Sequence, residues 1–450
     1  MSSQRDSGFM REIDREIREP FNYDALAIAG RIVISSGLQD EELEALPRVN
    51  ACFKVALETR AVEAALSAFC KQYPSTTYGC YYKANTQTFV TLTSIVIFYI
   101  TQRRSLDTVS SQVRMRNFVA VSSKIKVIKM AYKRSVIVTG GTINMGYQAA
   151  LILARQNPDW LIVISSRSDP NRSADSINKT LDQKNTIYIP LDLSDSQKVR
   201  AYAKEWASND YPPIQALLLN AALQFPGALN LTSEGIESTF AITHVGHALL
   251  FHLLCPYLAP KARVIVTASG VHDPALRTGM PKPVYTSAEE LAHPPPAIAN
   301  GDGRTHYVNS KLANILWTYA LQKRLDQRAA DRGIIVNALD PGLMPGSGLA
   351  REYGSFMKFV WNSILPKLVP LLRIFMGGNV HTPAESGAAL ARLATSDDVA
   401  SVKGKYYEGL KQRESSKESY EEAKQDDLWK WTVEWSAQDE EQAKKFEKFA

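Results

Sequence analysis

An α/β fold, a doubly wound parallel sheet with helices on both faces, is what three features of this chain predict. From Ser135 onward, short runs of Val, Ile and Leu alternate with helical segments, as in sheets buried on both sides. The glycine-rich turn Thr139-Gly140-Gly141-Thr142-Ile143-Asn144-Met145-Gly146 follows the first run and opens the first helix. Further on, Tyr307 and Lys311 stand four residues apart, a spacing that puts both on one helix face.

In chain order, strands are read at 135–139, 161–165, 186–191, 216–219, 263–267 and 334–339, with the first helix at 147–156. In such Rossmann-type sheets ligands gather at the carboxyl ends of the strands. Residues 271–306 carry Pro281, Pro283 and Pro294 to Pro296, so they read as a loop that shapes or covers the ligand site. The apolar stretch 356–376 has only basic charges (Lys358, Lys367, Arg373), and Pro366 and Pro370 interrupt it. It cannot be one smooth helix. It reads first as a lid lined with apolar side chains, and second as an element dipping into a membrane interface. Either implies a greasy substrate. Residues 426–450, with Trp429, Trp431 and Trp435, read as a charged amphipathic helix that packs back on the core. The expected organisation is an extension of undefined structure at 1–134, a catalytic domain at 135–415 and a helical tail at 416–450.

Within the extension, helices are expected near 40–46 and 54–70, then an uncharged apolar run at 89–100 and a basic linker at 124–134. The run is shorter than the ~20 residues of a spanning helix, and a single-pass anchor near 88–101 stands as the alternative. Of the 450 residues, 45% are hydrophobic and 22% charged, ordinary values for a globular protein. Net charge is +6. The excess sits at 71–134, with eleven Lys or Arg against one Asp or Glu, whereas 135–450 hold 33 of each. Such a basic stretch can touch an anionic membrane surface or nucleic acid, and no nucleic-acid partner is the expectation. The basic stretch reads as a solvated linker or a peripheral membrane contact. Four cysteines without a CxxC pair or a Cys/His cluster predict neither a metal site nor a disulfide framework. A reducing intracellular compartment is the expectation, cytoplasmic or at a membrane surface.

The chemistry follows from three side chains. An ammonium one helical turn from a phenol lowers its pKa from ~10, so Tyr307 beside Lys311 could exchange a proton near neutral pH. Ser269 follows the fifth strand. A glycine-rich turn at a helix N-terminus suits a pyrophosphate. Together these point to transfer of a hydride and a proton.

The turn resembles the TGxxxGxG signature of the short-chain dehydrogenase/reductase family, with Asn144 in place of the middle glycine. Asn is the next-best residue for a left-handed backbone. Asn220-Ala221-Ala222 resembles the family's NAG motif, and Asp340-Pro341-Gly342 its PG turn. The helix at 235–250 and Gly404-Lys405-Tyr406-Tyr407 are similar to the retinol dehydrogenase and protochlorophyllide reductase-like branch. Asn144, Asn220-Ala221-Ala222, the long Ser-to-Tyr insertion and the apolar stretch also resemble 3-ketosteroid reductases. The resemblance covers about 135–415. It implies that Ser269 hydrogen-bonds the substrate oxygen, Tyr307 is the general acid/base, and Lys311 lowers its pKa and binds the nicotinamide ribose. It implies that Thr139, Gly140, Asn144, Met145 and Gly146 hold the cofactor's phosphates. It puts Asp192 on the adenine with Leu193 beside it, Asn220 under the cofactor, and Pro341 and Gly342 by the nicotinamide. Thr243 occupies the position of the family's catalytic Asn. Arg167 follows the second strand where NAD-selective folds offer an acid, so NADP(H) is the expected cofactor. The expected activity interconverts a carbonyl and an alcohol on a hydrophobic small molecule of steroid, retinoid or polyketide type. The alternatives are reduction of a C=C bond and a non-catalytic NADP(H)-sensing protein. A homodimer paired through helices flanking the site is the expected assembly.

Overall fold

The computed structural model describes residues 132–450, apart from 277, 351–352 and 376–377. The expectations for 1–131, including the apolar run at 89–100, lie outside the described residues.

The central strands are dominated by buried apolar side chains on both faces, whereas the short edge strand Lys411–Arg413 is polar and exposed. The strands are β1 (Arg134–Thr139), β2 (Trp160–Ser166), β3 (Thr186–Pro190), β4 (Ile214–Leu219), β5 (Leu258–Thr267), β6 (Ile335–Asp340), β7 (Tyr406–Glu408) and β8 (Lys411–Arg413). They form one eight-stranded sheet in the order β3-β2-β1-β4-β5-β6-β7-β8. All neighbours are parallel except β7 and β8. The order reverses between β1 and β4, which opens a crevice at their carboxyl ends. Arg134, assigned by sequence to a basic linker, opens β1 and lays its guanidinium 5.6 Å from the Trp160 ring centroid.

Side chains along each strand alternate between two cores. Ile137, Leu217, Val264 and Val336 face one core. There they meet α3 (Ser196–Ser208), α4 (Gly246–Leu254) and α5 (Arg304–Arg328). Val136, Val138, Leu218 and Ile265 face the other. They meet α1 (Asn144–Gln156), α2 (Ser173–Leu181) and α6 (Pro383–Thr395). Each fully buried aliphatic side chain contributes about 1.5–3 kcal/mol. The helical run Ser238–Tyr257 is apolar and long enough to span a bilayer, yet 94% of it is buried, as befits a core helix of a doubly covered sheet.

The tail is two helices rather than one, α7 (Glu422–Ser436) and α8 (Glu440–Lys448). Leu428, Trp429 and Val433 of α7 belong to the same core as α4 and α5. The loop at 271–306 is tied to this tail, because Asp427 accepts from Tyr285 Oη and from Ala288 N, both at 2.8 Å. The interrupted stretch after β6 is a helical flap of four short turns: Ser355–Phe359, Val360–Ile364, Leu365–Leu368 and Val369–Phe375.

Candidate active site

A cleft of about 1120 Å³ opens at the carboxyl ends of β1, β4, β5 and β6, and every residue singled out in the sequence as catalytic or cofactor-binding, apart from Thr243, lines it. Its floor is a glycine cradle. Gly140 has φ +65° and Asn144 φ +51°, so Asn144 takes the left-handed backbone that its place in the turn demands. A Cβ on Gly146 would sit 2.3 Å from Gly140 O, so only bare backbone fits there. No side chain caps α1, whose preceding residue is Ile143. The first N–H groups of α1 therefore face the cleft as orphan donors, a setting for a phosphate. Asn220 closes the cradle from below, its Nδ2 donating to Thr139 O at 2.8 Å. The N–H groups of Asn220 and Ala221 donate to Thr139 Oγ1. His247 donates from Nδ1 to Thr243 O, so its Nε2 accepts from the Thr139 hydroxyl at 2.8 Å.

At the adenosine end, Arg167 is exposed and makes no ion pair among the described residues. The neighbouring acid is committed elsewhere: Asp169 accepts from the N and Oγ of Ser173, both at 2.7 Å. Asp192 accepts from Ser194 and from Lys198 Nζ. Leu193 packs beneath it in the core. Pro341 and Gly342 lie across the cleft.

Ser269, Tyr307 and Lys311 converge at the opposite end. Tyr307 and Lys311 sit on α5, both buried, with Lys311 Nζ 5.5 Å from the Tyr307 ring centroid. Ser269 lies close enough to the phenol to favour its ionised form. Lys311 Nζ donates to Thr267 O at 2.9 Å, and Asn314 Nδ2 shares the same acceptor at 3.0 Å. Lys311 therefore keeps N–H groups for a bound ligand. The electrostatics invert the expectation that Lys311 brings Tyr307 towards neutral pH. Burial pushes the phenol's pKa up, and the negative charge of Asp340 adds to that, with only the nearby Ser269 opposing. Burial also pulls Lys311 down to about 7, against the compensating charge of Asp340.

Several participants were missed by sequence reasoning. Asp340 is buried at the end of β6 and accepts from Gly342 N, Asn379 Nδ2 and Tyr406 Oη. Its motif was legible, but its burial was not. His272 accepts from Ser416 N at its Nε2, so its Nδ1 donates to Ser269 O at 2.7 Å. This ties the backbone of Ser269 to the tail. Trp361 and Phe375 of the flap and Leu276, Thr278 and Met280 of the 271–306 loop line the mouth. Thr243 does not: it is buried in the π-helical turn Ala241–Val245, and its hydroxyl has no hydrogen-bond partner. His244 pairs with Thr432 at 3.1 Å and stacks on Phe240. Burial pulls His244 to about 3 and His247 to about 4, so both are neutral. No metal-binding cluster exists among the described residues.

Comparison with known proteins is consistent with this geometry. The family model for short chain dehydrogenases matches residues 134–288, and that of the AcuH dehydrogenase domain matches 351–444. Short-chain dehydrogenase TIC 32 B, chloroplastic, from Brassica napus is 26% identical over 301 residues, 66% of this chain and 87% of that protein. The WW domain-containing oxidoreductase of Drosophila melanogaster is 28% identical over 71% of this chain and 73% of its own. Retinol dehydrogenase 13 of Homo sapiens is 27% identical over 66% of this chain and 82% of its own. Strand order, glycine cradle and sequence relatives thus agree that the chain is similar to the short-chain dehydrogenase/reductase family, and to its retinol dehydrogenase branch, a likeness that supports an oxidoreductase working with a nicotinamide cofactor.

Proposed function

We propose that this protein is an NADP(H)-dependent reductase that converts a carbonyl on a hydrophobic small molecule to an alcohol. The observation that carries the reading is the convergence of Ser269, Tyr307 and Lys311 beside the glycine cradle in one cleft. The nicotinamide, when bound, supplies the hydride. The residues of the chain do the rest. The hydroxyls of Ser269 and Tyr307 hold the substrate oxygen. Tyr307, kept protonated by burial and by Asp340, gives it the proton. Lys311, anchored on Thr267 O, offers its remaining N–H groups to ribose hydroxyls, and its charge offsets the developing phenolate. Arg167, free of ion pairs among the described residues, supports a 2′-phosphate and hence NADP(H). The apolar mouth formed by Leu276, Met280, Trp361 and Phe375 supports a hydrophobic substrate of steroid, retinoid or polyketide type.

Purified protein mixed with NADPH and a panel of apolar ketones is expected to oxidise the cofactor and yield the alcohols. Tyr307→Phe is expected to lower kcat by roughly 10²–10⁴ while NADPH still binds. A fully active Tyr307→Phe protein would remove the mechanism. If the products carry a reduced C=C bond instead, the alternative reaction of the same cleft is the correct one. Tight NADPH binding with no turnover of any carbonyl would favour a cofactor sensor.

A further inference from the structure

The flap at 355–375 has its large side chains turned the wrong way for a lid that merely roofs its own cleft. Val369 is its one buried residue. Phe356 is 78% exposed, Ile374 76% and Phe375 78%, and Phe359 and Leu371 are also exposed. So many adjacent apolar side chains on a protein surface mark a contact with something else. The charges say what it is. Between residues 353 and 384 the sequence has three Lys or Arg and no Asp or Glu. Arg373 is paired with Glu385. Lys358 and Lys367 make no ion pair among the described residues. Aromatic and aliphatic side chains flanked by uncompensated cations are the composition of an element that lies in the interface of an anionic bilayer. A second copy of this chain fits less well, because an isologous contact sets a patch against itself and this patch carries one sign of charge.

We propose that the 355–375 flap docks on an anionic lipid bilayer, with Phe356, Phe359 and Ile374 inserted among the acyl chains and Lys358 and Lys367 at the headgroups. Trp361 and Phe375 of the same flap line the mouth of the catalytic cleft. Docking therefore opens that mouth at the membrane surface, where an apolar substrate can enter without crossing water. The segment is too broken by Pro366 and Pro370 to cross the membrane. It lies on the bilayer.

The proposal does not rest on the reductase reading, since its test needs no turnover. The full chain is mixed with phosphatidylcholine vesicles, with and without phosphatidylserine, and amide hydrogen exchange is followed. Protection at 355–375 is expected with phosphatidylserine present and not with phosphatidylcholine alone. In vesicle flotation, the Phe356→Ser/Phe359→Ser/Ile374→Ser variant and the Lys358→Glu/Lys367→Glu variant are each expected to bind about tenfold or more weakly. Three results overturn the proposal. Protection could fall only within residues 1–131, both variants could float like the parent, or the parent could be a dimer in solution that the triple variant turns into a monomer. The last would assign the patch to a second copy. The exchange measurement uses the parent chain, so it decides the matter even if a variant misfolds.

Discussion

Tyr307 is held protonated at neutral pH by its burial and by the charge of Asp340, which biases the site towards giving a proton rather than taking one. The pH dependence then belongs to Lys311. Its pKa lies at about 7, so its ammonium is present below that pH and lost above it. Reductive kcat is expected to fall as pH rises through about 7, approaching tenfold per unit beyond it. A reductive profile that stays flat to pH 9 would contradict this assignment. Burial sets the direction of both shifts, and Asp340 raises both values, because its carboxylate favours the protonated form of Tyr307 and of Lys311 alike. The other groups facing it are His272 and Tyr406. Asp340→Asn keeps an acceptor for Gly342 N and removes the charge. Both pKa values are expected to drop, carrying the reductive limb down by about one unit. A merely structural role for Asp340 would lower kcat without moving the limb.

At the scale of elements, the turn between β1 and α1 decides cofactor binding by steric exclusion. Gly146→Ala sets a methyl group 2.3 Å from Gly140 O and 2.8 Å from Asn220 Nδ2. Backbone cannot yield there without opening the cradle. The dissociation constant for NADPH is expected to rise at least about tenfold, or ~1.4 kcal/mol, as read by fluorescence titration; unchanged affinity would mean that the cofactor lies elsewhere. Asn144→Gly is expected to be tolerated, whereas Asn144→Ala should cost about 1–2 kcal/mol of stability, since Asn144 has φ +51°. This turn was legible in the sequence because its backbone demands small or amide side chains. So were β1, β2, β4 and β6, whose continuous apolar runs have no competing helical period. β7 and β8 were not, since three residues carry no period. The π-helical turn that holds Thr243 has no sequence signal either. At the site, the spacing of Tyr307 and Lys311 was legible. The inverted electrostatics was not, because it arises from burial and from Asp340, which reaches the pair only through the β5–β6 neighbourhood.

Across the whole molecule, the tail reaches back to Ser269 and to the 271–306 side of the substrate mouth. Ser416 N fixes the tautomer of His272, which in turn holds Ser269 O. Asp427 on α7 holds Tyr285 and Ala288 of the 271–306 loop. Removing the tail would strip Trp429, Leu428 and Val433 from the core, so a truncation reports on folding rather than on the site. A single substitution separates the two. Asp427 is exposed at its surface edge, and α7 is seated by its buried face, so Asp427→Ala leaves the helix in place. It leaves Ala288 N without its acceptor and Tyr285 Oη with only the longer bond to Lys424 O at 3.3 Å, at a cost of about 1–2 kcal/mol borne by the loop. Leu276, Thr278 and Met280 of that loop line the mouth, while the glycine cradle and Arg167 lie on the β1 and β2 side. The expected outcome is a KM for the carbonyl substrate raised about three- to tenfold, with the KM for NADPH unchanged. Equal changes in both constants would mean that the tail steadies the whole sheet rather than the loop, and no change in either would mean that the loop is held by its other ties, among them Asn309 Oδ1 accepting from Val284 N and Ala292 O accepting from Glu237 N, both at 2.8 Å.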